Sequence, residues 1–192
     1  MSSKDTIEIE SFQGLRARTV QSYNEANVKS GVQFYLGVNW PTADQIANGP
    51  VNARNIVFVT GDTPVIIKTR IVSFEGEEFT IELFEGSTYT GGSAITVGNY
   101  NQVNPVATTV TALKDVTITD EGTGFAGEPD YYLGGTTGNR DAQAIPDGRE
   151  RILKTNTTYL VRVTSVVGTG RFSYFIDWYE GGTDLPRPQN DN

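Results

Sequence analysis

Apolar residues occupy every second position over several stretches of the chain, which is the period of a β-strand with one buried face. The longest regular stretch begins after Gly31, and its apolar positions are Val32, Phe34, Leu36, Val38 and Trp40. Pro41 follows directly, and proline lacks the N–H that a paired strand needs. The pattern therefore predicts a strand over residues 32–40 whose apolar face, including the tryptophan, lies in the core.

Two longer segments, Pro64–Glu85 and Thr158–Tyr179, each contain two strand patterns separated by a short turn. The first turn, Glu75–Glu78, is acidic, and the second, Gly168–Gly170, is rich in glycine. The apolar face of the last strand consists of Phe172, Tyr174, Ile176 and Trp178. Strands joined by such short turns commonly pair with each other, so both segments are predicted to be antiparallel hairpins.

Roughly eight to ten such strands, with short turns and almost no helical pattern, predict an all-β protein of two packed antiparallel sheets. We favour a jelly-roll-like β-sandwich. An immunoglobulin-like sandwich is the alternative, but its Cys…Trp…Cys pattern is impossible in a chain without cysteine.

Residues 1–30 differ from the rest of the chain because their apolar residues are sparse. These residues are Ile7, Ile9, Phe12, Leu15, Val20 and Tyr23. The segment either adds a first strand and a loop to the same domain or forms an extended arm that docks on a partner. The predicted organisation is an N-terminal arm over 1–30, with these six residues as partner contacts, a β-sandwich domain over 31–181 and a polar C-terminal tail over 182–192.

The composition restricts the chemistry that is open to this chain. Its 192 residues include no histidine and no cysteine, and its formal net charge is −8. Nucleophile systems that use histidine, disulfides and the usual zinc and iron–sulfur ligands are therefore excluded. The acidic balance disfavours nucleic acid and anionic membranes, which attract Lys and Arg. No membrane span or export signal is recognised, so the protein is expected to be made and kept soluble.

Carboxylates remain as candidates for catalysis or cation binding. The acidic turn at 75–78 lacks the spacing of a calcium loop, and acidic residues also keep turns and strand edges in water. A glycosidase needs two carboxylates that flank a cleft. Asp177 lies among aromatic residues and is expected to pair with Arg162 or Arg171 instead. We therefore predict no enzyme activity, no metal and no cofactor.

Two further groups are candidates for surface contacts. Tyr131 and Tyr132 lie in a stretch rich in glycine and proline that is predicted to be a surface loop, where tyrosines can stack on a sugar or contact a protein. Arg149 and Arg151 form a local basic group, which either contacts an acidic partner or pairs with acids of its own loop.

Four strings of residues resemble segments of virion structural proteins of tailed bacteriophages. They are Pro64–Glu78, Tyr100–Pro105, Gly148–Arg162 and Trp178–Glu180, and the resemblance covers roughly residues 50–181. None of the strings is a catalytic motif. The chain resembles small capsid-associated proteins, of the decoration or cement type, more than it resembles any enzyme.

The resemblance implies a non-enzymatic protein that binds the outside of the phage head and stabilises the shell. Its expected partners are the lattice of the major capsid protein and further copies of itself, as a dimer or trimer, with neither nucleic acid nor membrane. Its expected location is the outer surface of the head of the virion, after synthesis in the cytoplasm of the host bacterium. The alternative function is a component of a tail or head fibre that binds a host receptor or a glycan.

Overall fold

A computed structural model describes the protein over residues 6–9, 19–40, 46–47, 53–75, 78–125, 131–134, 140–145, 150–167 and 169–181. Two seven-stranded sheets, here called sheet I and sheet II, dominate it, and every strand pairing in them is antiparallel. The two sheets pack against each other. This arrangement confirms the predicted all-β sandwich.

Sheet I contains β3 (Gln33–Trp40), β4 (Ile46–Ala47), β6 (Val65–Glu75), β10 (Gly98–Asn99), β15 (Arg140–Ile145), β16 (Arg151–Leu153) and β18 (Thr169–Glu180). Its order is β10-β3-β18-β6-β15, with β16 also beside β6 and β4 beside β18. Sheet II contains β5 (Ala53–Val59), β7 (Glu78–Glu85), β9 (Ser93–Ala94), β11 (Thr111–Lys114), β13 (Thr123–Gly124), β14 (Tyr131–Gly134) and β17 (Thr158–Val167). Its order is β13-β7-β17-β5-β11-β9, with β14 also beside β7.

The core lies between the two sheets and is rich in aromatic rings. Its largest fully buried side chains include Trp40, Trp178, Phe34, Phe79 and Phe172. Phe34 and Trp178 stack at 5.9 Å between ring centroids, and they are directly opposite each other on β3 and β18. The apolar faces predicted from the period-two pattern are therefore the buried faces, and both tryptophans are core residues as predicted.

The two predicted hairpins are wrong in their pairing, although their strands are correct. β6 pairs with β18 and β7 pairs with β17, so strands that follow each other in the chain lie in opposite sheets. β6 and β7, and likewise β17 and β18, are therefore not neighbours within one sheet. A period-two pattern is satisfied equally by either arrangement, because each places the apolar face of both strands in the core.

The N-terminal region contains β1 (Thr6–Ile9), β2 (Thr19–Ser22) and the helix α1 (Tyr23–Ser30). β1 and β2 pair as a separate two-stranded sheet. A second small sheet is formed by β8 (Thr88–Thr90) and β12 (Thr117–Asp120). The sequence pattern does not predict α1, because the helix has few apolar residues. The predicted tail over 182–192 lies outside the described residues.

Candidate interaction surface

The structure places the predicted contact residues of the arm as follows. Ile7 and Ile9 are in β1, Val20 is in β2 and Tyr23 begins α1. Phe12 and Leu15 lie outside the described residues. Their role as partner contacts stays a prediction.

The other predicted contact residues do not form one group. Tyr131 and Tyr132 belong to β14, which pairs with β7, so this stretch contains a strand where the sequence predicts a loop. Arg149 lies outside the described residues. Arg151 lies on β16, is partly buried and lines a small apolar cavity of about 50 Å³ between the sheets, together with Arg70.

A long uncharged segment closes one side of the sandwich. From Gly86 to Leu113 the chain contains no Asp, Glu, Lys or Arg. This segment contributes β9 at the edge of sheet II and β10 at the edge of sheet I. Between β10 and β11 it forms an irregular loop, residues 100–108, here called the 100–108 loop. The loop is thus an uncharged surface on an acidic protein.

The 100–108 loop exposes apolar side chains to solvent. Val103 is 84% exposed, Val106 is 49% exposed and Tyr100 is 40% exposed. The only other large apolar side chain that the described residues expose to this degree is Ile152, on β16. Apolar groups concentrated on one loop, in contrast to apolar residues scattered singly, mark a candidate contact surface.

Asparagine side chains hold the first part of this loop in one conformation. The Asn99 amide donates to the carbonyl oxygens of Gly31 at 2.7 Å and Val106 at 3.1 Å. The Asn101 amide donates to Lys29 O at 3.0 Å, and its Oδ1 accepts from two backbone N–H groups of the loop. The loop is therefore tied to the end of α1.

Gly31 is required where the loop meets the helix end. Its φ is +76°, and a Cβ atom there would lie 2.6 Å from the carbonyl oxygen of Asn104. Only glycine adopts this backbone conformation without strain and also leaves room for the loop.

A buried carboxylate anchors the other end of the loop. Glu180, at the end of β18, is only 8% exposed. Its Oε2 accepts hydrogen bonds from the backbone N–H and the hydroxyl of Thr109, both at 2.8 Å. Its Oε1 accepts from Trp178 Nε1 at 3.1 Å and from the Thr108 hydroxyl. Four donors therefore compensate the burial of this charge.

Tyr100 also belongs to a row of three aromatic side chains, here called the outer aromatic row, on the face of sheet I that points away from the core. The ring centroid of Tyr35 lies 4.8 Å from that of Tyr100 and 6.2 Å from that of Phe175. The Tyr35 ring extends over Gly98, where a Cβ atom would lie 2.3 Å from the ring. Gly98 therefore permits the position of the Tyr35 ring.

Asp177 lies directly opposite Tyr35 on the neighbouring strand β18. The expectation that Asp177 pairs with Arg162 or Arg171 is wrong. Arg162 Nη1 lies 2.7 Å from Glu121 Oε1, and Arg171 Nη1 lies 3.1 Å from Glu75 Oε2. Arg162 lies on sheet II, Arg171 is opposite Glu75 on β6, and no ion pair to Asp177 occurs among the described residues.

The polar neighbours of Asp177 leave hydrogen-bond acceptors without donors. Gln33 Nε2 donates to Asp177 Oδ2 at 3.4 Å, which is a long hydrogen bond. Asp177 Oδ1 and Gln33 Oε1 are buried and accept no hydrogen bond from the residues that the structure describes. Burial, followed by the negative charge of Asp177 and the proximity of Tyr35, raises the pKa of the Tyr100 phenol. Tyr100 is therefore a neutral phenol at physiological pH.

Within the described ranges, no group of three or more acidic residues is placed to hold a metal ion. In the same part of the chain, no helix has the length and apolar character needed to cross a bilayer.

Comparison with known proteins gives no assignment. No protein-family model, no curated protein and no solved structure matches this chain. The function is therefore argued from the chemistry of the surface.

Two features of this surface escape the sequence analysis. The first is the uncharged surface of the 100–108 loop, which could be recognised from the run without charged residues between Gly86 and Leu113. The outer aromatic row has no such signal, because Tyr35, Tyr100 and Phe175 are far apart in the chain and only the strand register brings them together.

Proposed function

We propose that the protein is a non-enzymatic capsid decoration, or cement, protein of a tailed bacteriophage, which binds the outside of the head and stabilises the shell. One structural observation supports this proposal most strongly. An ordered, uncharged loop presents Tyr100, Val103 and Val106 to solvent from an acidic β-sandwich. The resemblance of the chain to virion structural proteins supplies the identity of the partner lattice.

The 100–108 loop has an ordered conformation, which favours binding to a lattice that is already assembled. Hydrogen bonds donated by the amides of Asn99 and Asn101 and accepted by Glu180 hold it before any partner is present. A contact surface that is already ordered loses little conformational entropy on binding. Burial of the exposed apolar area of the two valines would contribute on the order of 2 kcal/mol per copy. Many copies on one shell would multiply this modest contribution.

The lack of charge in the loop suits assembly in many copies. Two proteins with the same net charge repel each other wherever their charged surfaces meet. A contact formed through residues 86–113 brings no like charges of this chain together. The remaining acidic surface would face solvent and keep the particle soluble.

The test uses phage heads that lack the protein. Purified protein is added, and binding is measured by co-sedimentation while the heat resistance of the heads is followed. The double variant Val103→Asn with Val106→Asn is expected to lose most binding and protection, with an unchanged unfolding temperature. Ile152→Asn is the matched control, because Ile152 is 65% exposed on another element. Failure of the unaltered protein to bind the heads, or to alter their heat resistance, would disprove the proposal.

The arm is tested by a truncation that leaves α1 intact. Removal of residues 1–22 is expected to abolish binding to the heads while the sandwich stays folded. Asn27 of α1 is buried, and the end of the helix holds the 100–108 loop, so the truncation stops before the helix. Full binding by the truncated protein would remove the arm from the interface.

A further inference from the structure

The Asp177 site, defined as Asp177, Gln33 and the outer aromatic row, has a negative charge that the described residues do not neutralise. The carboxylate is partly buried, with Oδ1 wholly so. Removal of a charge from water is unfavourable unless a counter-charge or good donors replace the water. Here the single donor is Gln33 Nε2 at 3.4 Å. Glu180 on the same strand shows the contrast, because four donors surround its carboxylate.

We propose that the Asp177 site binds the cationic side chain of a lysine or arginine from a partner protein. A basic group would supply what the site lacks, namely a positive charge for Asp177 and several N–H donors for Asp177 Oδ1 and Gln33 Oε1. A sugar hydroxyl would supply donors without the charge. The faces of Tyr35, Tyr100 and Phe175 add to the preference, because an aromatic ring attracts a cation above its plane.

No basic residue among the described ranges forms an ion pair with Asp177, so the proposal assigns the cation to a partner. By strand position the nearest basic residues are Lys68 and Arg70, which flank Thr69, the residue opposite Asp177. Lys68 Nζ lies 4.0 Å from Glu150 Oε1 and above the Tyr179 ring, and Arg70 is buried beside the small cavity between the sheets. Lys29, beside the 100–108 loop, lies 2.6 Å from Glu25. The acidic protein as a whole also attracts basic groups at long range.

Tyr100 connects this site to the proposed interface. It is part of the 100–108 loop and of the outer aromatic row, so a partner seated on the loop would reach the row without a second contact surface. Rotation of its partly exposed ring would open a path to Asp177 Oδ1. The inference rests on the proposed function only for the identity of the partner. Cation binding itself is a property of the isolated protein.

The first experiment titrates the isolated ¹⁵N-labelled protein with N-acetyl-lysine methylamide and N-acetyl-arginine methylamide, monitored by NMR chemical shifts. N-acetyl-glutamine methylamide is the neutral blank. The shifts are expected at Tyr35, Tyr100 and Phe175, with a Kd on the order of millimolar, typical of one exposed cation–π contact with one carboxylate. Asp177→Asn, which keeps the size of the side chain, is expected to weaken binding at least fivefold. Asp62→Asn removes the same charge from an exposed turn and is expected to leave the Kd unchanged.

Three results would overturn the inference. The first is a set of chemical-shift changes spread over the acidic surface, and the second is equal binding of the cations by the Asp177→Asn and Asp62→Asn variants. The third is a set of shift changes at the outer aromatic row with maltohexaose but not with the cations, which would show that the row binds a glycan. If Asp177→Asn does not fold, Tyr100→Leu replaces it, with the same expected loss. Head binding is measured separately. If the protein binds the cations but not the heads, the proposed function is wrong and this inference stands. If it binds the heads but not the cations, this inference is wrong and the proposed function stands.

Discussion

Replacement of Glu180 by glutamine tests whether the buried carboxylate anchors the 100–108 loop. Glutamine has nearly the same shape, but one carboxylate oxygen becomes an NH₂ group. If this group takes the position of Oε2, it faces the backbone N–H of Thr109, which can only donate. If it takes the position of Oε1, it faces Nε1–H of Trp178, which also can only donate. Neither orientation satisfies both fixed donors.

The magnitude of the effect follows from this conflict. One buried N–H group loses its acceptor, which costs about 1–3 kcal/mol. The bonds that remain are no longer charge-assisted, and each is weaker by about 1 kcal/mol. The Thr108 and Thr109 hydroxyls recover part of the loss, since they can rotate to accept from the amide. We expect the free energy of unfolding to fall by about 3 kcal/mol in total.

The assay is reversible unfolding, followed by circular dichroism in denaturant and on heating. A loss of about 3 kcal/mol corresponds to a Tm lowered by about 6–12 °C in a domain of this size. Glu121→Gln is the control, because its carboxylate is 56% exposed and forms a single ion pair with Arg162. That variant is expected to change stability by less than about 1 kcal/mol. Equal unfolding midpoints for the Glu180→Gln variant and the unaltered protein would refute the reasoning.

Four further predictions concern the core and the outer aromatic row. Phe79→Ala, in the centre of the core, is expected to lower the free energy of unfolding by about 3–5 kcal/mol in denaturant titrations. Gly98→Ala is expected to displace the Tyr35 ring and weaken cation binding at least threefold by NMR titration, with little change in Tm. Because the pKa of Tyr100 is raised in the folded state, its contribution to stability is complete below pH 10, the ordinary tyrosine value, and is lost as the pH rises through the raised pKa. Asp177→Asn removes one cause of that rise and is expected to lower the pKa of Tyr100 in a spectrophotometric titration.

The architecture could be predicted because a buried strand face leaves a period-two pattern in the sequence. Phe34, Leu36, Val38 and Trp40 show that pattern, and all four are buried. The pattern states which face is buried but not which strand is the neighbour. For that reason the segments Pro64–Glu85 and Thr158–Tyr179 were predicted as hairpins, whereas each contributes its two strands to opposite sheets.

The candidate site depends on the information that the pattern lacks. Asp177 meets Tyr35 because β18 and β3 pair in one register, and a shift of one residue would turn either side chain toward the core. The pairing of β18 with β6 on its other side places Arg171 opposite Glu75. The pairing of strands that are distant in the sequence therefore determines which carboxylates have a basic partner. A count of charges along the chain does not.

The distribution of charge indicates that attachment to a partner and solubility depend on different parts of the protein surface. Charges on exposed surfaces act over about one Debye length, near 8 Å at physiological salt, so the acidic surface opposes chance contacts between free copies. The uncharged 100–108 loop is the part of the surface on which that opposition is weakest. A partner that places a basic side chain against Asp177, beside this loop, would add an electrostatic attraction. A second copy of this acidic protein provides such an attraction less readily. The same charges that keep free copies apart would then favour a partner lattice with basic groups at the contact.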